Sequence, residues 1–236
     1  MFSSFKKRSL KPERLDLGQY SPEEYARWHR EMRFIHGILG EKRALSRSLL
    51  REISRSGEAE VSILDVGAGS GALLNGLRTS LRGKKTFLVA GELSPEAIRS
   101  IKSGSGKNGI VPVMCDSLRL PFADDSFDYL ISTLFLHHLT DVQAVTLFNE
   151  MGRVARKKFF VIDLHRNAPA YYLYRFLGSI FLQRFTREDG ALSILRSFKP
   201  DELRSLAGGA DIADMTVKRS AAFRLVLSGR KKTDQK

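Results

Sequence analysis

At 236 residues the chain suits one large domain, or one domain with an appendage. Its 42% hydrophobic and 28% charged residues lie near the globular average, which excludes wholesale disorder and fibrous repeats, and its single cysteine excludes an intramolecular disulfide and a cysteine-built zinc site. Lys and Arg number 39 against 26 acids, a formal +13 that could serve nucleic acid, a membrane surface or an anionic ligand, and the excess is C-terminal: residues 151–236 carry 18 basic and 8 acidic side chains. The opening MFSSFKKRSLKPERLDLG has no apolar signal core, so a cytoplasmic location is the expectation. Its first 14 residues are basic and aperiodic. Ser21-Pro22-Glu23-Glu24 then supplies an N-cap, a proline at the first helical position and a glutamate three residues after the cap, so a helix starts there. Tyr25, Trp28, Met32, Ile35 and Leu39 form its apolar stripe, Glu23, Arg27 and Glu31 an i,i+4 ladder opposite, and Gly40 ends it. A second helix, Lys42 to about Ser56, presents Leu45, Leu49 and Ile53 and stops at Gly57.

From Val61 the pattern alternates between strand and helix. VSILDV, KTFLVAGEL, IVPVMCD, FDYLISTLF and KKFFVIDL read as short apolar strands, with ALLNGLRTSL and SPEAIRSIK among the helices between them. Helical crossovers between strands imply a parallel sheet covered on both faces. SGSGKNG at 103–109 reads as a turn. The rhythm breaks at Ala168–Phe185, one long aromatic-rich helix that Arg175, Gln183 and Arg184 make too polar to span a membrane. A short helix over Asp201–Ala207 and two strands within 212–229, turning at Arg219-Ser220, complete the chain.

The strongest chemical signal is Leu64-Asp65-Val66-Gly67-Ala68-Gly69-Ser70-Gly71, at a strand end and a helix start. Glycines there let backbone approach a ligand, and a helix N-terminus favours a negative group. Gly67, Gly69 and Ala72 also satisfy the dinucleotide fingerprint, and Glu92 at the next strand end suits a ribose of either a nicotinamide or an adenosyl cofactor. Two carboxylates tip the balance. Asp116, in Cys115-Asp116-Ser117, can accept from an adenine amine, and Asp65 would repel a pyrophosphate but tolerates a cofactor with a sulfonium and an α-amino group.

LDVGAGSG, the strand-end Glu92, CDSLRLPFADDSFDYL and STLFLHHL resemble, in order, the motifs of class I S-adenosylmethionine-dependent methyltransferases, in particular the type 11 methyltransferase-domain group, over about residues 61–165. The resemblance implies an α/β, Rossmann-like fold: a seven-stranded, mostly parallel sheet with a final antiparallel hairpin, and an N-terminal helical cap. Residues 1–58 would be the basic segment and cap, and 59–236 the methyltransferase domain with a helical insertion at about 167–207. It implies S-adenosyl-L-methionine as cofactor. Gly67, Gly69 and Gly71 would wrap its methionine end, which Thr133 would face, Glu92 would hold ribose, and Asp116 and Ser117 adenine, with Asp65, Ala68 and Leu93 as further cofactor-binding candidates. More loosely, the N-terminal helices, Asp163-Leu164-His165-Arg166, Asp189-Gly190 and Arg196-Ser197-Phe198 are similar to bacterial members linked to phenolic lipid and quinone methylation.

Methyl transfer to a phenol needs the hydroxyl proton removed, and histidine is the natural group near neutral pH. His137, His138 and His165 fall just beyond carboxyl ends of expected strands and are the catalytic candidates, His138 and His165 foremost. Arg166, Tyr171 and Arg196 are candidate substrate contacts, and no residue set is assigned to a metal. The expected partner is a small acceptor, aromatic and apolar, with an O-methylated hydroxyl of a phenolic or quinol-type, lipid-tailed compound as the main reading. C-methylation of a similar ring, and RNA or protein methylation through the basic C-terminal face, are the alternatives. Nucleic acid is the less expected partner, lacking an RNA-binding module; peripheral membrane contact fits the amphipathic helices, and the oligomeric state is left open.

Overall fold

The computed structural model describes residues 5–38, 40–105 and 109–232. Seven strands form one sheet: β1 (Glu60–Val66), β2 (Lys85–Glu92), β3 (Ile110–Met114), β4 (Phe127–Thr133), β5 (Ala155–Leu164), β6 (Ile212–Ser220) and β7 (Arg224–Lys231). Their order is β3-β2-β1-β4-β5-β7-β6, parallel through β5, with β7 antiparallel to both its neighbours. This is the expected α/β architecture, reversed final hairpin included. The hairpin turns at 221–223, just past the expected Arg219-Ser220, and forces Ala222 and Phe223 to positive φ.

Strand side chains alternate between two cores, as the pleat requires. Leu64, Leu130, Phe159 and Val161 face one, with Leu147, Phe148 and Met151 from α6 (Asp141–Val154) and Leu203 from α9 (Pro200–Gly208). Ile63, Tyr129, Ile131, Phe160 and Ile162 face the other. There they meet Leu74 and Leu77 of α4 (Ala72–Ser80), Ile101 of α5 (Pro95–Ser105), and Leu45, Leu49 and Ile53 of the second N-terminal helix. That second helix is interrupted: α2 (Glu41–Leu45) and α3 (Arg51–Ser56) are joined by a π-helical turn at Ser46–Leu50. The chain leaves β1 toward β2 and β3 on one side and returns for β4 and β5 on the other, so the carboxyl ends of β1 and β4 flank a topological switch point, where open α/β sheets take ligands.

The first helix, α1 (Pro22–Ile38), begins with the expected capping box: Ser21 Oγ accepts from the Glu24 N–H at 3.2 Å, and the Ser21 N–H donates to Glu24 Oε2 at 3.0 Å. Its Arg27–Glu31 pair forms at 2.8 Å. Tyr25 stacks between Tyr20 and Trp28, and Tyr20 stacks on Phe185. Leu39, the last residue of the expected stripe, and residues 106–108 of the expected turn lie outside the described residues.

The expected single helix over Ala168–Phe185 is two, α7 (Ala168–Phe181) and α8 (Arg184–Arg196). Leu182 and Gln183 are extended at the break. The Gln183 N–H donates to Glu31 Oε1 (3.1 Å) and its side-chain amide to the Glu24 carbonyl (2.8 Å), so α1 supplies the partners that a continuous helix would have denied it. α8 had no apolar period to betray it, because it buries Thr186, Asp189, Ser193 and Arg196 as well as Phe185 and Ile194.

Candidate functional site

Gly67, Gly69 and Gly71 all have positive φ, +73°, +53° and +70°, in the turn from β1 into α4. At Gly67 the need is absolute in two ways, since a Cβ would also lie 2.8 Å from the Phe135 ring. The Gly67 and Ala68 N–H groups donate to the Gly91 carbonyl, tying the turn to the end of β2. Glu92, from that end, accepts from the Gly69 N–H through Oε2 (2.8 Å) and from the Leu93 and Ser94 N–H groups through Oε1. A carboxylate has about four acceptor positions, so one is left for a hydroxyl. Val66, Gly67, Gly91, Glu92, Leu93, Cys115, Ser117 and Phe135 line a narrow cleft here. The structure therefore brings together the glycine turn, Glu92, Leu93 and Ser117. Asp116, exposed on the adjoining loop, accepts from the Leu118 N–H at 2.8 Å.

Asp65 is 1% exposed, and neither carboxylate oxygen has a hydrogen-bond partner among the described residues. Burial, with Glu41 and Glu92 adding like charge, pushes its acid well above the usual range. Glu41 is itself buried and hydrogen-bonded to Thr133; burial raises it, while Arg224 and Thr133 pull it down. Three carboxylates thus converge beneath the glycine turn. That field opposes a pyrophosphate and suits a ligand with positive charge, and an unpaired buried carboxylate calls for an ammonium donor.

A second constellation lies beyond β4. The 3₁₀ turn Leu136–His138 follows Phe135 directly. His137 is buried, its N–H donates to Asp163 Oδ2 at 2.8 Å, and its Nδ1 lies 2.7 Å from Asp163 Oδ1. His138, half-buried, has Nδ1 at 2.9 Å from Asp16 Oδ1. Glu13 is 3% exposed, accepts from Ser193 Oγ at 2.8 Å, and places Oε1 3.9 Å from His137 Nε2. Burial pushes the Glu13 carboxyl up to about 7 against the opposing pull of His138, Ser193 and Arg196. At Asp16 burial also acts upward, but His138 and other partners win and hold it at about 2. Burial likewise opposes ionisation of Asp163, and the His137 ring with two backbone N–H groups keeps it below the usual carboxylate range.

Arg196 binds this turn to the N-terminal segment. It donates to the His137 and His138 carbonyls (3.1 and 2.9 Å), to the Lys11 carbonyl and to Asp16 Oδ2 (both 2.9 Å). Arg8 donates to the Leu139 and Arg196 carbonyls and pairs with Asp141. Arg166 has no exposed surface, and its guanidinium donates to the Ser197 and Phe5 carbonyls and to Glu202, which gives it a structural task in place of the expected substrate contact. Arg196 is likewise taken up by main chain and Asp16. Tyr171 packs edge-on against Phe5, and Tyr172 adjoins both.

His165 stands apart from the other two histidines. It lines a separate open cleft with Asn167, Pro169, Arg219, Ser220, Ala222, Phe223 and Arg224. Burial, and then Arg219, Arg166 and Lys199, hold its imidazole below the usual value, so it stays neutral near pH 7. Glu13, Asp16 and Glu41 were missed in the sequence. All three precede the first strand, and the available signal for two of them was the pair of acids, Glu13 and Asp16, in an otherwise basic stretch.

Comparison with known proteins agrees with this layout. Residues 63–158 match the family model described as a methyltransferase domain. A demethylmenaquinone methyltransferase of Roseiflexus sp. is 32% identical over 121 residues, 51% of this chain and 49% of that protein, and one from Roseiflexus castenholzii is 33% identical over the same length. The chain spans about half the length of these curated relatives. Among solved structures, magnesium protoporphyrin IX methyltransferase from Synechocystis PCC 6803, with bound SAH, superposes with TM-score 0.61 at 14% identity, covering 91% of this chain and 97% of that one. A SAM-dependent methyltransferase from Aquifex aeolicus gives 0.55 at 15% identity over 76% and 87%. At such identities these two establish the fold.

Proposed function

We propose, from the match of residues 63–158 to a methyltransferase domain, that the chain moves the methyl group of S-adenosylmethionine onto a small aromatic acceptor carrying a hydroxyl, of phenolic or quinol type. The observation that carries this is Asp65, a buried carboxylate with no hydrogen-bond partner among the described residues, set with Glu41 and Glu92 under three left-handed glycines. Asp65 with Gly67, Ala68, Gly69 and Gly71 would hold the methionine end, Thr133 beside them, Glu92 and Leu93 the ribose, and Asp116 and Ser117 the adenine. The cofactor supplies an electrophilic methyl on a sulfonium. The protein's own task is then positioning, for which roughly 7 to 11 kcal/mol is available.

The acceptor hydroxyl would be activated at His137 and His138, whose rings are fixed by Asp163 and Asp16. The Roseiflexus relatives are named for demethylmenaquinone, and the same ring class is the acceptor proposed here. The N-terminal segment, through Glu13, Asp16 and α1, would form the acceptor side of the site. The decisive experiment supplies methyl-labelled cofactor to an extract split into lipid, RNA and protein fractions. Label in a small lipid-soluble phenol or quinol is expected; label in RNA or protein alone would contradict the proposal.

An apolar acceptor also fits α7. Leu173, Phe176, Leu177, Ile180 and Phe181, spaced i, i+3, i+4, i+7 and i+8, are between 44% and 67% exposed and form one apolar face of this helix. Among the described residues no helix is long and apolar enough to cross a membrane. We propose that this face rests on an anionic lipid surface. Replacing Phe176 and Ile180 together by glutamate should reduce cosedimentation with anionic vesicles at least tenfold, since burying each such side chain contributes about 1.5 to 3 kcal/mol. Unchanged sedimentation would dismiss the contact.

Asp65→Asn offers a second test with two opposite signs. Its acid is raised in the folded chain, so its ionisation costs stability, increasingly as pH climbs from the unfolded value near about 4 toward the raised native one. The variant should therefore melt at the same temperature or higher near neutral pH, yet bind S-adenosylmethionine at least tenfold more weakly. Calorimetry of the wild type in buffers of different ionisation enthalpy should detect proton release on binding. A variant that melts lower and binds normally would remove Asp65 from the cofactor site.

A further inference from the structure

We infer that Glu13, His137 and His138 form a binding site for one divalent cation of the zinc, cobalt or ferrous class, an assignment beyond the proposed methyl transfer and independent of which acceptor is used. One ligand atom from each residue lies within 4.8 Å of the other two, and His137 Nε2 is 3.9 Å from Glu13 Oε1. A four-coordinate cation at 2.0 to 2.2 Å from each would set neighbouring ligands about 3.4 Å apart. The closure required is about 0.5 Å between His137 and Glu13 and at most about 1.4 Å for any pair, within reach of the half-buried His138 ring and the Glu13 carboxylate.

Three features distinguish this cluster from histidines that merely meet. Each ring has Nδ1 against an aspartate, His137 on Asp163 and His138 on Asp16. That pairing fixes the tautomer that leaves a lone pair on Nε2, and a carboxylate behind each ligating imidazole is the usual outer arrangement of a metal centre. Glu13, Asp16 and Asp163 also bring three carboxyl groups to the two imidazoles, with Arg196 at 3.8 Å from Glu13 Oε1 and 2.9 Å from Asp16 Oδ2. Two imidazoles and one carboxylate also leave coordination positions open, as catalytic rather than structural sites do. The cluster sits directly after Phe135, which walls the cofactor cleft, so an oxygen of the acceptor is the ligand class expected at the open position.

Cobalt reports this site without any turnover. Full-length protein stripped with chelator and titrated with Co²⁺ should take up one equivalent and develop the visible d–d bands of a four- or five-coordinate ion. His138→Gln and Glu13→Gln should each weaken uptake at least tenfold. Asp16→Asn should weaken it by about 10- to 100-fold although Asp16 is no ligand, an effect that a purely structural aspartate would not have. His29→Gln, outside the cluster, should leave uptake unchanged. Circular dichroism and S-adenosylmethionine binding, run on the same samples, separate a folding defect or a failed cofactor assignment from a missing metal site. A folded wild type that takes up no stoichiometric Co²⁺, or whose bands are untouched by His138→Gln and Glu13→Gln, overturns the inference.

Discussion

Gly67→Ala is expected to destabilise the chain by about 2 to 5 kcal/mol and to reduce S-adenosylmethionine affinity at least tenfold. Holding alanine at φ +73° costs about 1 to 2 kcal/mol, and its methyl would stand 2.8 Å from the Phe135 ring, an overpacking that costs about 1 to 3 kcal/mol more. For a chain of this size the thermal midpoint should drop by roughly 4 to 20 °C, readable by calorimetry. Phe135 yields only by turning into the cleft it walls, so stability and binding should fall together. Gly76→Ala is the matched control. That glycine lies within α4 with nothing near its added methyl, and the change should stabilise by about 0.5 to 1 kcal/mol. If both substitutions are harmless, the glycine turn is not constrained as described.

Arg196→Met should cost about 3 to 5 kcal/mol and abolish turnover while leaving cofactor affinity close to wild type. The residue is 7% exposed, and removal of its guanidinium strips a charged donor from Asp16 and hydrogen bonds from the carbonyls of Lys11, His137 and His138 at one stroke. The histidine turn and the N-terminal segment would then lose their common anchor. Among the described residues, the hydrogen bonds and ion pairs of Arg196 go to Arg8, Lys11, Glu13, Asp16, His137 and His138 and not to the glycine turn or Glu92, so calorimetry with S-adenosylmethionine should change little. Loss of cofactor binding in a variant that still folds would mean that the two constellations are one.

The sheet was legible because its strands are short apolar runs closed by polar or glycine punctuation, and because the β1 turn needs three glycines in the left-handed region. Glu92 and Ser117 were legible for the same reason: they stand at strand ends, where topology assigns a place to each residue. The acceptor side was harder. Asp16 meets His138, and Glu13 meets Ser193, across more than a hundred residues of chain, and no periodicity reports such pairings. Arg166 and Arg196 were candidate substrate contacts; their burial against carbonyl oxygens, which sequence does not display, makes them staples between chain segments. The break between α7 and α8 was hidden for a related reason. Its two backbone partners, Glu31 and the Glu24 carbonyl, belong to α1, and without that helix Ala168–Phe185 is a good continuous helix.

The central claim is that the carboxylate-lined glycine turn holds an adenosyl sulfonium and not a dinucleotide. Isothermal titration of the full chain with S-adenosylmethionine, its demethylated product and NAD tests it directly. Micromolar binding of the first two, and no measurable binding of NAD, is the predicted result. Binding of NAD without binding of S-adenosylmethionine would contradict it.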